Sequence, residues 1–155
     1  MPYVDLQRCT HQRFFKADMS LSSHGHGNQQ AMGRSTNDAD ILRVIGFLQL
    51  QHGKFEQAVV LFDALHALFP EDLTIGLSLA FALLQAGQAH DASEVLKQIE
   101  TFAVFSSGLS SLQRNSCFCW LRSLALAEAG QAVEAARWMR YFLRSRRQSN
   151  VEAAS

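Results

Sequence analysis

Gly53-Lys54-Phe55-Glu56-Gln57-Ala58 recurs as Gly87-Gln88-Ala89-His90-Asp91-Ala92 and again as Gly130-Gln131-Ala132-Val133-Glu134-Ala135. The first two copies lie 34 residues apart and the last two 43, so the second interval is one period plus nine inserted residues. Each copy sets a glycine five residues ahead of an alanine. A glycine at that place ends one helix in the left-handed conformation that other residues resist. The small residue beyond it starts a second helix that can cross the first closely. The chain therefore reads as three helix–turn–helix pairs.

Working outward from the glycines sets the boundaries. Asn37 or Asp38 can cap a helix whose apolar residues include Ile41, Leu42, Ile45, Leu48 and Leu50. Gly53 ends it, a second helix runs from about Phe55 to Phe69, and Pro70 stops that one. Pair two spans about Asp72 to Ala86 and then Ala89 to about Phe102. Residues Val104 to Ser111 carry four Ser and a Gly and read as the inserted connector. Pair three spans about Leu112 to Ala129 and then Val133 to about Arg146. A period of 34 with this spacing resembles the tetratricopeptide repeat. The predicted architecture is all-α, a right-handed superhelix of three hairpins (about 38–71, 72–103 and 112–147). Residues 1–36 read as a mobile extension with one short helix at Leu6 to Met19, and 148–155 as a frayed tail.

With each turn glycine as the fifteenth position, the eighth is Gly46, Ala80 and Ser123, and the twentieth is Ala58, Ala92 and Ala135. All six are small, as a close helix crossing requires. The twenty-fourth is Phe62, Leu96 and Met139, and the twenty-seventh is Leu65, Ile99 and Phe142. These fill the space between neighbouring pairs, and burying each contributes roughly 1.5–3 kcal/mol. Pair three departs from the pattern: Arg122 stands at the seventh position, where Ile45 and Leu79 stand in the others. A one-residue slip of that helix, over Cys117 to Leu124, would turn Arg122 outward.

In stacked pairs of this kind the first helices line a concave side. Its exposed positions are predicted to be Asp40, Arg43, Phe47, Leu50 and Gln51 in pair one and Thr74, Leu77, Phe81, Leu84 and Gln85 in pair two. In pair three they are Cys117, Trp120, Leu124, Ala127 and Glu128. Phe47, Leu50, Leu77, Phe81, Leu84, Trp120 and Leu124 would form one apolar strip, with Arg43 its sole cation. A strip of that kind suits the apolar face of an amphipathic helix rather than a carboxylate tail. In the competing reading, the N-terminal segment folds back through Phe14 and Phe15 and fills the groove.

Composition restricts the alternatives. Fourteen cations balance fourteen carboxylates, so no overall field draws nucleic acid to the chain. Three cysteines, Cys9, Cys117 and Cys119, with no apolar export signal and no apolar run of bilayer length, read as reduced thiols in a cytoplasmic protein without membrane insertion. His24, His26 and His11 lack a fixed fourth ligand, and Cys117 and Cys119 point to different sides of a helix. Neither set reads as a metal site. With no nucleophile beside a histidine and no phosphate loop, no enzyme and no cofactor is expected. Arg137, Arg140, Arg144, Arg146 and Arg147 crowd the last helix, where cations are favoured by the helix dipole; a protein contact ranks second and nucleic acid last.

One family resemblance is more specific. The runs Gly46-Phe47-Leu48-Gln49-Leu50-Gln51-His52-Gly53, Leu61-Phe62-Asp63-Ala64-Leu65 and Pro70-Glu71-Asp72-Leu73 resemble the YscY-type (SctY) chaperones of bacterial type III secretion. The likeness covers about residues 40 to 147 and is looser in pair three. It implies a cytoplasmic chaperone with no catalytic residues. Its cargo would be a small secreted protein of the YscX type. Its docking partner would be the cytosolic domain of the export-gate protein at the inner membrane. A needle-subunit or translocator chaperone of the same system, or a general tetratricopeptide interaction module, would share most of these residues.

Overall fold

The computed structural model describes residues 32–106 and 109–153, with side chains placed for 38–105 and 110–148. Seven helices and no strand occur among them. In chain order they are α1 (Met32–Gln51), α2 (Phe55–Leu68), α3 (Leu73–Gln85), α4 (Ala89–Ser106), α5 (Leu109–Arg114), α6 (Ser116–Glu128) and α7 (Ala132–Ala153). The readings placed on residues 1–31, including the Leu6 to Met19 helix, Cys9 and the histidines, lie outside the described residues. Asp38–Ser155 forms a unit of its own.

The three turns are built alike. Gly53, Gly87 and Gly130 take φ of +70°, +78° and +75°. At each, the glycine N–H donates to the carbonyl three residues back, and the next N–H donates to the carbonyl five residues back. The acceptors are Leu50 and Gln49, Leu84 and Leu83 (for Gly87 and Gln88), and Ala127 and Leu126. Paired bonds of this kind satisfy carbonyls that a helix end leaves open. The helix that follows then starts within two residues, folded back on its partner.

Four sequence-based boundaries shift. Helix α1 begins at Met32, ahead of the Asn37 or Asp38 cap. Helix α4 continues through Ser106, and part of the expected connector is the short helix α5. Pair three's first helix starts at Ser116 rather than Leu112, because the Asn115 side chain accepts the Phe118 N–H at 3.0 Å and caps it. At the far end α7 runs to Ala153, past Gln148.

The core follows the repeat. Gly46, Ala80, Ser123, Ala58, Ala92 and Ala135 are all buried. At Gly46 a Cβ would stand 2.8 Å from the Phe62 ring, so the glycine is what lets α1 and α2 approach. Phe62, Leu65 and Leu96 are fully buried and Ile99 nearly so. Met139 and Phe142, at the same positions in pair three, are only half-buried, since no further pair follows α7 among the described residues. Helix α3 is enclosed by α2, α4 and α6, and α5 is wedged among α4, α6 and α7. That enclosure leaves Ile75 to Ala80 buried without a break.

Candidate protein-binding face

Helices α3 and α6, the first helices of pairs two and three, pack side by side. Helix α1 is tied to the start of α3 by an ion pair: Arg43 Nη2 lies 2.7 Å from Asp72 Oδ2. The other carboxylate oxygen of Asp72 accepts the Thr74 and Ile75 N–H groups at 2.9 and 3.2 Å and caps α3. One aspartate therefore starts a helix and joins two pairs. Arg43 is half-buried in this role and is not a clamp held open for an anion.

The expected strip is only partly a surface. Phe47, Leu50, Phe81, Trp120 and Leu124 are half-buried, each keeping part of its side chain in solvent. Leu77 and Leu84 are 3% and 8% exposed and belong to the core. Their correction has a plain cause: α3 is covered on three sides, so positions that would face outward on an end helix face a neighbour here. What remains is a discontinuous set of aromatic and aliphatic side chains. The Phe81 and Trp120 rings meet across the α3–α6 junction, centroids 6.5 Å apart. The Phe47 ring stands edge-on to Phe62 at 5.3 Å, held by its own pair.

Pair three needs no slip. Its glycine turn has the same geometry as the other two, and α6 is unbroken back to its Asn115 cap. Arg122 keeps the inward seventh position at 7% exposure. It reaches back to α4, donating from Nη1 to Ser93 Oγ at 3.1 Å and from Nη2 to Glu100 Oε2 at 3.1 Å. Its Nε is buried without a hydrogen-bond partner. Burial pushes the Glu100 carboxyl above the ordinary carboxylate range, and Arg122 pulls it only part of the way back. The sequence marked Arg122 as a misfit but could not supply Glu100, which lies 22 residues away on another helix.

Cys119 is buried, donates toward the Leu112 and Gln113 carbonyls at 3.4 Å, and has its thiol pushed up to about 11 by burial. Such a thiol is a packing group rather than a nucleophile. Among the described residues no cluster of His, Cys, Asp and Glu is arranged to hold a metal ion. No helix among them is long and apolar enough to cross a membrane.

A tetratricopeptide repeat family model matches residues 29–115, more than half of the chain, and the chain belongs to that family. The match ends just before α6, yet the third turn repeats the geometry of the first two, so the repeat extends beyond it. Among solved structures, the chain is similar to SycD, the type III secretion translocator chaperone of Yersinia enterocolitica. The TM-score is 0.60 at 21% identity, over 84% of this chain and 100% of SycD. At that identity the likeness is one of fold. No curated protein sequence matches the chain.

Proposed function

We propose that this protein is a binding protein rather than an enzyme, a cytoplasmic chaperone of type III secretion. In this reading it holds a small secreted partner of the YscX type against the α1, α3 and α6 face and presents it to the cytosolic domain of the export-gate protein. The observation that carries it is the set of partly exposed apolar side chains Phe47, Phe81, Trp120 and Leu124 on the first helices. Apolar side chains presented from rigid helices fit the buried face of an amphipathic helix and offer nothing to a phosphate or a metal. Family membership and the SycD-like fold support a protein-interaction role. The Gly46 to Gly53 and Pro70 to Leu73 runs favour the YscY type within it. The SycD likeness favours a second reading, a translocator chaperone, which uses the same face for a different cargo.

Co-expression with a YscX-type protein, a needle subunit and a translocator, each followed by affinity capture, separates the readings. The YscX-type protein is expected to be recovered as a soluble complex that Phe81→Glu abolishes. Capture of the translocator alone would favour the second reading, and capture of none would remove both.

A further inference from the structure

Two unpartnered faces mark the ends of the described helices, and they are opposite in character. Helix α1 is apolar on both sides. Ala39, Leu42 and Gly46 face inward. On the other side Ile41, Val44, Ile45 and Leu48, spaced by three, one and three residues, are 56%, 58%, 38% and 47% exposed. Asp38 and Asp40, both exposed, lie on either side of this stripe at helical spacing. Terminal pairs of stacked repeats ordinarily carry a polar outer face, and this one does not.

Helix α7 is the reverse. Ala135, Met139, Phe142 and Ser145 face inward, and Arg137, Arg140, Arg144 and Arg147 form an exposed outward stripe. No carboxylate pairs with these four arginines among the described residues. The stripes are commensurate: Ile41 to Leu48 rises about 10 Å and Arg137 to Arg147 about 15 Å along their helices.

The neutral net charge conceals a separation along the chain, although of the carboxylates near its start only Asp38 and Asp40 flank the α1 stripe. From Asp38 to Asp72 the chain carries six carboxylates against two cations, a balance of −4. From Ser116 to Gln148 it carries six arginines against two carboxylates, a balance of +4.

We propose that the α1 face of one molecule docks on the α7 face of a second copy, head to tail. Guanidinium groups cover aliphatic surface with their stems and planar faces, and their forks pair with carboxylates. Arg137, Arg140, Arg144 and Arg147 would lie over Ile41, Val44, Ile45 and Leu48, with Asp38 and Asp40 receiving the charges. Because the two faces differ, the contact is heterologous and propagates as a ring or a chain. It does not involve Phe81 or Trp120, so a cargo-binding face stays free.

Sedimentation velocity on the full chain, over a wide concentration range in about 0.05 M and about 0.5 M salt, tests this. The wild type is expected to form concentration-dependent species larger than a monomer, with the association roughly tenfold or more weaker in the higher salt. Arg140→Glu/Arg144→Glu and, separately, Ile45→Glu/Leu48→Glu should each be monomeric with unchanged circular dichroism. Their equimolar mixture should give a dimer, since each keeps one working face. Asp38→Arg/Asp40→Arg provides a second test should the Ile45 variant lose helicity: alone it should be monomeric, and mixed with Arg140→Glu/Arg144→Glu it should associate, since each again keeps one working face. Phe81→Glu should associate as wild type does. A wild type that is monomeric in both salts overturns the proposal, whether or not it binds phosphatidylserine vesicles. So does association that survives in either one-faced variant, or mixtures that remain monomeric.

Discussion

The rings of Phe81 and Trp120 lie 6.5 Å apart at an interplanar angle of 38°, one on α3 and the other on α6. Two consecutive pairs thus contribute one aromatic unit, positioned by the packing of their first helices. Both rings keep part of their surface in solvent, whereas Leu77 and Leu84 on the same helix as Phe81 do not. This divides partly exposed residues from core residues on a helix whose sequence is apolar nearly throughout.

Phe81→Glu and Trp120→Glu are expected to weaken cargo binding by about 2 kcal/mol or more, the range of central aromatic contacts, with far-ultraviolet circular dichroism unchanged. Leu77→Ala should act differently. It removes a core side chain, costs about 2–5 kcal/mol of stability and lowers the denaturation midpoint. Calorimetric titration alongside chemical denaturation reads both effects. Normal cargo affinity in both aromatic variants would remove this face as the binding site.

Arg122 and Glu100 should be strongly coupled. Arg122→Leu leaves a half-buried carboxyl without its partner and is expected to cost about 2–3 kcal/mol, less than a fully enclosed pair because Glu100 can take up a proton. The double variant Arg122→Leu/Glu100→Leu should recover much of the loss. A double-mutant cycle by urea denaturation measures the coupling.

The same carboxyl sets a pH dependence. Burial raises Glu100 above its unfolded value, so the folded state holds its proton to higher pH than the unfolded state does. Its contribution to stability is therefore fully present below the ordinary carboxylate range and falls as pH rises through the raised value. Glu100→Gln should remove that part of the slope just above the ordinary carboxylate range, as read from denaturation midpoints over a pH series.

At Gly46 the helix gains about 1 kcal/mol of propensity from alanine, but the new Cβ meets the Phe62 ring at 2.8 Å and overpacking costs about 1–3 kcal/mol. Gly46→Ala is expected to be net destabilising. Phe62→Leu, which costs stability alone, should cost less in the Gly46→Ala background. Thermal melts of the four proteins test the rescue.

Gly87→Ala should cost about 1–2 kcal/mol although no atom lies within 4 Å of its place for a Cβ. The penalty there comes from φ of +78° and not from crowding, so Gly87→Asn should be milder than Gly87→Ala. Denaturation midpoints rank the three proteins.

The repeat is legible in the chain alone. The three glycines, the small residues at Gly46, Ala58, Ala80, Ala92, Ser123 and Ala135, and the fillers at Phe62, Leu65, Leu96 and Ile99 are local and periodic signals, and each occupies the place its spacing indicates. Which apolar residues remain at the surface depends on the packing of whole helices. Repeat position alone turns Leu77 outward and Ile45 inward, and the reverse holds: Leu77 is 3% exposed and Ile45 38%. Position within a repeat fixes the direction of a side chain, but its burial depends on whether another helix stands there. Helix α3 has neighbours on three sides, while among the described residues none covers the outer side of α1. Arg122 and Arg43 follow the same rule, since each is held by a carboxylate distant in sequence that folding alone brings within hydrogen-bonding distance.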